Sequence, residues 1–229
     1  MTDIVLVHGA WSDSSVWEGV GEALKREGHR VLAVSLPLTS LADDVVATRR
    51  SVEACDGGVV LVGHSYGGAV ISEAARGEGR VRALVFVAAY APDEGESIAE
   101  LSGRGATTPG RDAIRFGSDG WTSLDPARFR DALAADVPPE RVRELARTQK
   151  ATHSACLGAP AGRGAWHDLP SSYVLSAEDR ILDPGLQRWF AQRAGATVVE
   201  LAASHLSPVS RPEPVAAAIS AAARGSGLG

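Results

Sequence analysis

Short runs of Val, Leu and Ile recur along this chain, and longer stretches with helical spacing of apolar residues separate them. A run that is apolar at every position, rather than at every second one, marks a strand buried on both faces, with crossover helices covering it. The pattern therefore predicts an α/β fold. Strands are expected at Ile4 to Val7, Arg30 to Val34, Val59 to Val62, Val81 to Ala88, Tyr173 to Leu175 and Thr197 to Leu201. The first helix is expected to start at Ser15-Val16-Trp17-Glu18, which offers a capping box, and to reach about Glu27, where Gly28 supplies the stop. Further helices are expected at Leu41 to Ala54, Gly67 to Arg76, Pro184 to Ala194 and Pro214 to Ala223.

This alternation breaks once. Residues 91–168 hold Gly- and Thr-rich turns, helical stretches at Pro126 to Ala135 and Pro139 to Thr148, and no recognisable strand, so the segment reads as an inserted helical cap. Its apolar residues Ile114, Phe116, Trp121, Leu124 and Phe129 could pack on one another or touch substrate, and packing is the expectation for each. The Ala/Gly-rich C-terminal end reads as a frayed tail. At 229 residues, against roughly 150 per domain, the chain is expected to form a single domain over 1–229, the cap included.

Composition narrows the class of function. Apolar residues at 45% and charged residues at 22% are globular values, which excludes general disorder. Lys and Arg number 23 against 28 Asp and Glu, a net charge of −5, so no basic field exists to gather nucleic acid. The two cysteines, Cys55 and Cys156, sit far apart without metal-type spacing, which argues against a zinc site and a disulfide scaffold and fits a reducing compartment. Met1-Thr2-Asp3 runs straight into a four-residue apolar stretch, too short for a signal h-region, and no run approaches the length of a membrane span. A cytoplasmic protein is expected, with no membrane partner, no metal and no cofactor.

Gly63-His64-Ser65-Tyr66-Gly67 has the form of a nucleophile elbow, in which flanking glycines permit a sharp strand-to-helix turn that lifts a serine hydroxyl clear of the backbone. With 25 glycines and 21 serines the pattern arises by chance in about one such chain in four. Context decides the matter: Val59-Val60-Leu61-Val62 precedes it and the small-residue stretch Gly68-Ala69-Val70 follows. A serine needs a base, and the base needs a carboxylate to hold its tautomer. His205, four residues past the strand ending at Leu201, is the candidate base; His153 and His167 read as cap or surface residues, His29 as structural, and His64 as turned away from Ser65. For the acid, Glu178 and Asp179 compete after the strand Tyr173 to Leu175, with Asp179 preferred, while Asp183 reads as the N-cap of the helix at Pro184. Oxyanion donors are expected from the backbone of Tyr66, after the nucleophile, and of Ala10, after the first strand. Trp11 is the candidate substrate contact.

His8-Gly9-Ala10-Trp11, Gly63 to Gly68, Glu178-Asp179-Arg180 and Ser204-His205 together resemble the α/β-hydrolase superfamily. The chain is most similar to the small branch of plant methylesterases, salicylate-binding protein 2 and hydroxynitrile lyases. The resemblance covers nearly everything but the cap. It implies about six parallel strands with helices on both faces, a triad of Ser65, Asp179 and His205, and an oxyanion hole at Ala10 and Tyr66. Hydroxynitrile lyases of this branch carry a threonine where this chain has Gly9 and a lysine where it has Leu206, so hydrolysis of a small carboxylic ester is the expected activity. A lyase or carbon–carbon cleavage, or a ligand receptor with a weakened triad, are the alternatives. Oligomeric state and substrate identity are not legible in the sequence.

Overall fold

The computed structural model describes residues 2–225 and 227; Met1 and the tail residues Ser226, Leu228 and Gly229, on which the frayed-tail expectation falls, lie outside it. In chain order, β1 (Asp3–Val7), α1 (Glu18–Arg26), β2 (Arg30–Val34), α2 (Leu41–Glu53), β3 (Val59–His64), α3 (Gly67–Ala74) and β4 (Val81–Val87) alternate regularly. The intervening segment follows with α4 (Ile98–Ser102), β5 (Ile114–Phe116), β6 (Trp121–Leu124), α5 (Phe129–Leu133), α6 (Pro139–Thr148), β7 (Thr152–His153) and α7 (Ser154–Gly158). The chain closes with β8 (Ser171–Ser176), α8 (Pro184–Arg193), β9 (Thr197–Leu201), α9 (Ser207–Ser210) and α10 (Pro212–Gly225).

Six strands form one sheet in the order β2-β1-β3-β4-β8-β9, and every neighbouring pair is parallel. Ile4 to Val7 and Val59 to Val62 are 0% exposed, which requires cover on both faces of the sheet. The α1–α10 pair and the α2–α3 pair provide it. Each such Val, Leu or Ile contributes about 1.5–3 kcal/mol by leaving water, so the central strands anchor the fold. The edge strand β9 is instead exposed at four of its five positions.

Register sets up the site. Val7 of β1 lies beside Gly63 of β3, and His64 of β3 beside Val87 of β4, so the loops leaving β1, β3 and β4 emerge together. Ser176 of β8 pairs with Leu201 of β9, which brings the two loops that follow to the same end of the sheet. In open parallel sheets this carboxyl end is where ligands bind.

Two expectations are corrected. The first helix has no capping box at Ser15; the Asp13 carboxylate accepts the Ser15 N–H at 2.8 Å and caps a 3₁₀ turn over Ser14–Trp17 that leads into α1. Residues 91–168 are not purely helical, because β5, β6 and β7 form a small antiparallel sheet. Strands of two to four residues are too short to show an alternation. Among the described residues, no helix is long and apolar enough to cross a membrane.

Candidate active site

The turn after β3 places Ser65 at φ +54°, a left-handed conformation that costs an L-residue about 1–3 kcal/mol. Three hydrogen bonds hold it there: the Ser65 N–H donates to the Val87 carbonyl at 3.2 Å, and the Ser65 carbonyl accepts from Gly68 at 3.0 Å and Tyr90 at 3.1 Å. The motif glycines are sterically required. A Cβ on Gly63 would collide with the Gly67 carbonyl, and one on Gly67 would lie 2.6 Å from the carbonyl oxygen of Val7.

Asp179 lies in the loop after β8 with its carboxylate fully buried. Oδ1 accepts the N–H groups of Ile181 and Leu182, both at 2.9 Å, and Oδ2 accepts Gln187 Nε2 at 2.9 Å and His205 Nδ1 at 2.6 Å. That last bond fixes the proton of His205 on Nδ1 and leaves Nε2 as the free lone pair. Glu178, the rival acid, is exposed. Asp183 caps α8 through the Leu186 N–H at 3.1 Å, as its position before Pro184 implies.

The two histidines behind the site are held neutral. His8 donates from Nδ1 to the Gly9 carbonyl at 2.9 Å and accepts the Leu36 N–H on Nε2 at 3.1 Å; burial lowers its pKa to about 4. His64 donates from Nε2 to the His205 carbonyl at 2.9 Å, and burial together with the neighbouring His205 keeps its pKa well below the ordinary imidazole value. Its ring lies 4.7 Å from that of His205, so His64 braces the candidate base from behind.

Ser65 and His205 share a cavity of about 780 Å³ with Ala10, Trp11 and Tyr66. Trp11 sits at φ +53°; its backbone N–H donates to Thr152 Oγ1 and its indole Nε1 to Thr122 Oγ1, both at 2.9 Å, so strands β6 and β7 fix one wall. The Tyr66 ring points away, into the interior, where its hydroxyl donates to Asp44 Oδ2 at 2.6 Å. Among the described residues, the N–H groups of Ala10 and Tyr66 donate to no protein acceptor.

Several lining residues differ from the sequence reading. Ile114 and Phe116 line the cavity instead of packing internally, and Phe116 is 76% exposed; Leu124 and Phe129 are buried as expected. His153 also lines the cavity, its ring edge-on to Trp121, whereas His167 is bonded to Asp93 at 2.9 Å elsewhere. His29 meets Ser220 Oγ at 3.3 Å, far from the sheet's carboxyl end. Tyr90, Arg111, Ile181 and Leu182 complete the wall without any local motif to announce them.

A doubly covered parallel sheet with a strained serine turn between β3 and α3 is the architecture of an α/β hydrolase. Residues 4–218 match the model of the alpha/beta hydrolase family, and the chain belongs to that family. It is 28% identical to an alpha/beta hydrolase of Aspergillus novofumigatus over 92% of each chain. It is 26% identical to methylesterase 2 of Arabidopsis thaliana over 85% of each, in keeping with the resemblance to the methylesterase branch. A solved structure of a pyrethroid hydrolase from Sphingobium faniae superposes with a TM-score of 0.86 at 25% identity, covering 96% of both chains.

Proposed function

We propose that the protein is a cofactor-independent serine hydrolase of small carboxylic esters, with Ser65 as nucleophile, His205 as base and Asp179 as the orienting acid. Ser65 Oγ attacks the acyl carbon while His205 Nε2 takes its proton. The imidazolium so formed is stabilised through Nδ1–H by the buried Asp179 carboxylate, which stays ionised. The oxyanion of the tetrahedral intermediate is received by the uncommitted N–H groups of Ala10 and Tyr66, donors that reorganise little because β1 and the elbow hold them. His205 then returns the proton to the leaving alcohol, and water repeats the cycle on the acyl-enzyme.

The observation that carries this reading is the 2.6 Å bond from His205 Nδ1 to Asp179, with His205 and Ser65 on the wall of one cavity. Relatives named as methylesterase and pyrethroid hydrolase support an ester substrate. Gly9 argues against the lyase chemistry of the same branch. A Cβ there would lie 2.8 Å from Ser65 Cβ, so a threonine at this position would displace the nucleophile. The lysine expected of a lyase is replaced by Leu206, which is 2% exposed. An intact His–Asp pair likewise disfavours a silent receptor.

A fluorophosphonate probe tests the assignment. Wild type should be labelled and should turn over p-nitrophenyl acetate, and Ser65→Ala should do neither. Labelling that survives the substitution would falsify the role of Ser65, and release of cyanide from a cyanohydrin without ester turnover would replace hydrolysis by lyase chemistry.

A further inference from the structure

The cavity that holds Ser65 and His205 is walled mostly by apolar side chains, yet one cation faces it: Arg111, from the 3₁₀ turn over Pro109–Ala113. Among the described residues it is the only Lys, Arg, Asp or Glu that lines the cavity. Arg111 is half-buried, and among the described residues no carboxylate pairs with it. A partly desolvated guanidinium without a counterion is unfavourable and has donors to spare.

Its aim is set by a chain of contacts running back to the nucleophile. The Arg111 Nη1 group donates to the Ser102 carbonyl at 2.7 Å, and Ser102 Oγ meets the Tyr90 hydroxyl at 2.7 Å. Tyr90 in turn donates its backbone N–H to the Ser65 carbonyl at 3.1 Å. The guanidinium is thus linked to the elbow through Ser102 and Tyr90, with Nη1 anchored to a carbonyl, and among the described residues Nε and Nη2 donate to no protein acceptor. Ile98, Ile114 and Ile181 line the same cavity and make its wall apolar.

From this arrangement we infer that Arg111 is the specificity-determining residue for a substrate carboxylate: the enzyme takes esters bearing a carboxylate separated by an apolar spacer from the reacting carbonyl. The inference rests on the hydrolase reading above. A planar guanidinium fork matches a carboxylate in two parallel hydrogen bonds, and inside a largely apolar cavity such a pair is stronger than on the surface. A neutral ester of the same length leaves that cation unpaired.

The test compares mono-p-nitrophenyl adipate with p-nitrophenyl hexanoate, two acyl chains of equal length that differ in the terminal carboxylate. Wild type is expected to favour the adipate in kcat/KM on the order of tenfold, with the difference in KM. In Arg111→Met the ratio should fall to about one, and in Arg111→Lys it should recover in part, because a point charge replaces the fork. Raising the salt concentration should narrow the wild-type ratio. A wild-type ratio near one, or a preference that survives in Arg111→Met, overturns the inference. If wild type cleaves neither ester, the hydrolase reading fails while this inference is still decided by calorimetric titration of monomethyl adipate. Wild type should then bind it and Arg111→Met should not; equal binding by both refutes the carboxylate site.

Discussion

Asp44 occupies a fully buried position on α2 and holds together groups from three parts of the chain. Oδ1 accepts the Leu38 N–H at 2.8 Å, Oδ2 accepts the Tyr66 hydroxyl at 2.6 Å, and the Cys156 thiol approaches Oδ2 at 3.7 Å. Burial raises the pKa of Asp44, and hydrogen bonds from Tyr66 and Leu38 oppose that shift. The same burial and the adjacent carboxylate keep the Tyr66 phenol protonated. Asp44→Ala would strand the Tyr66 hydroxyl and the Leu38 N–H in the interior. Each orphaned donor costs about 1–3 kcal/mol, and removal of a desolvated carboxylate returns part of this, leaving a net loss of about 2–4 kcal/mol. For a chain of 229 residues each kcal/mol moves Tm by about 2–4 °C, so a drop of about 4–16 °C is expected. Tyr66→Phe, which removes one donor and leaves Asp44 Oδ2 with the Cys156 thiol, should cost about 1–2 kcal/mol. The double variant should cost less than the sum, because the two groups share one bond. Thermal and urea unfolding of the four proteins measure this cycle. An Asp44→Ala protein melting within about 2 °C of wild type, or strictly additive losses, would refute the claim that the bond couples α2 to the elbow.

Three further outcomes follow from the site. Asp179→Asn should lower kcat by about 10³–10⁴ with little change in KM, because an amide can no longer hold the His205 tautomer, whereas Glu178→Gln should be neutral; a loss below tenfold in Asp179→Asn would remove Asp179 from the mechanism. His8, at about 4 instead of the ordinary 6.5, binds its proton more weakly folded than unfolded, so its contribution of about 3 kcal/mol is present above pH 6.5 and is lost as pH falls through about 4. His64 is shifted in the same direction. Urea unfolding should therefore show stability declining through this window, and less steeply in His8→Gln; parallel curves for the two proteins would contradict the linkage. Gly9→Thr, whose Cβ would meet Ser65 Cβ at 2.8 Å, should cost at least about 10² in ester turnover. Full activity in that variant would show that the β1 loop can yield.

The parallel sheet could be read in the sequence because its strands are buried on both faces, so Ile4 to Val7 and Val59 to Val62 stand out as uninterrupted apolar runs. Ser65 could be read because its glycine-flanked turn directly follows such a strand, and His205 because it lies four residues past the last strand, in the loop before the closing helices. The choice between Glu178 and Asp179 could not be settled locally: adjacent residues face different ways, and only the fold shows which one turns inward. Asp44 carries a signal of its own in the sequence. In α2 the buried positions are Leu41, Asp44, Thr48 and Val52, one helical stripe, so a carboxylate stood in a row that should be apolar. Gln187, buried in α8 beside Phe190 and holding Asp179, is the same kind of signal. Arg111 and His153 gave no such sign. They reach the cavity through turns and strands too short for any period, and their neighbours come from distant parts of the chain.

That segment is also what ties the loops of the site together, since it is bonded to each one separately. Strands β6 and β7 hold the β1 loop through Thr122 and Thr152 on Trp11. Cys156 of α7 reaches the elbow through Asp44 and Tyr66. The acid loop is held where the Gly110 N–H meets the Arg180 carbonyl at 2.7 Å and Thr108 Oγ1 meets the Ile181 carbonyl at 3.0 Å. The His205 loop is held by the Leu133 carbonyl, which accepts both Ser204 Oγ and the Leu206 N–H at 3.0 Å. Four loops from one sheet edge are thus fastened from above as well as from below. Variation on the cavity side of this segment can alter what fits without moving Ser65, His205 or Asp179, whereas loss of Thr152 or of the turn at Leu133 would loosen the site itself. On the proposed reading, one face of residues 91–168 shapes what fits the cavity and another holds the loops of the site, so a substitution at Arg111 is expected to change substrate preference while leaving the strand ends in place.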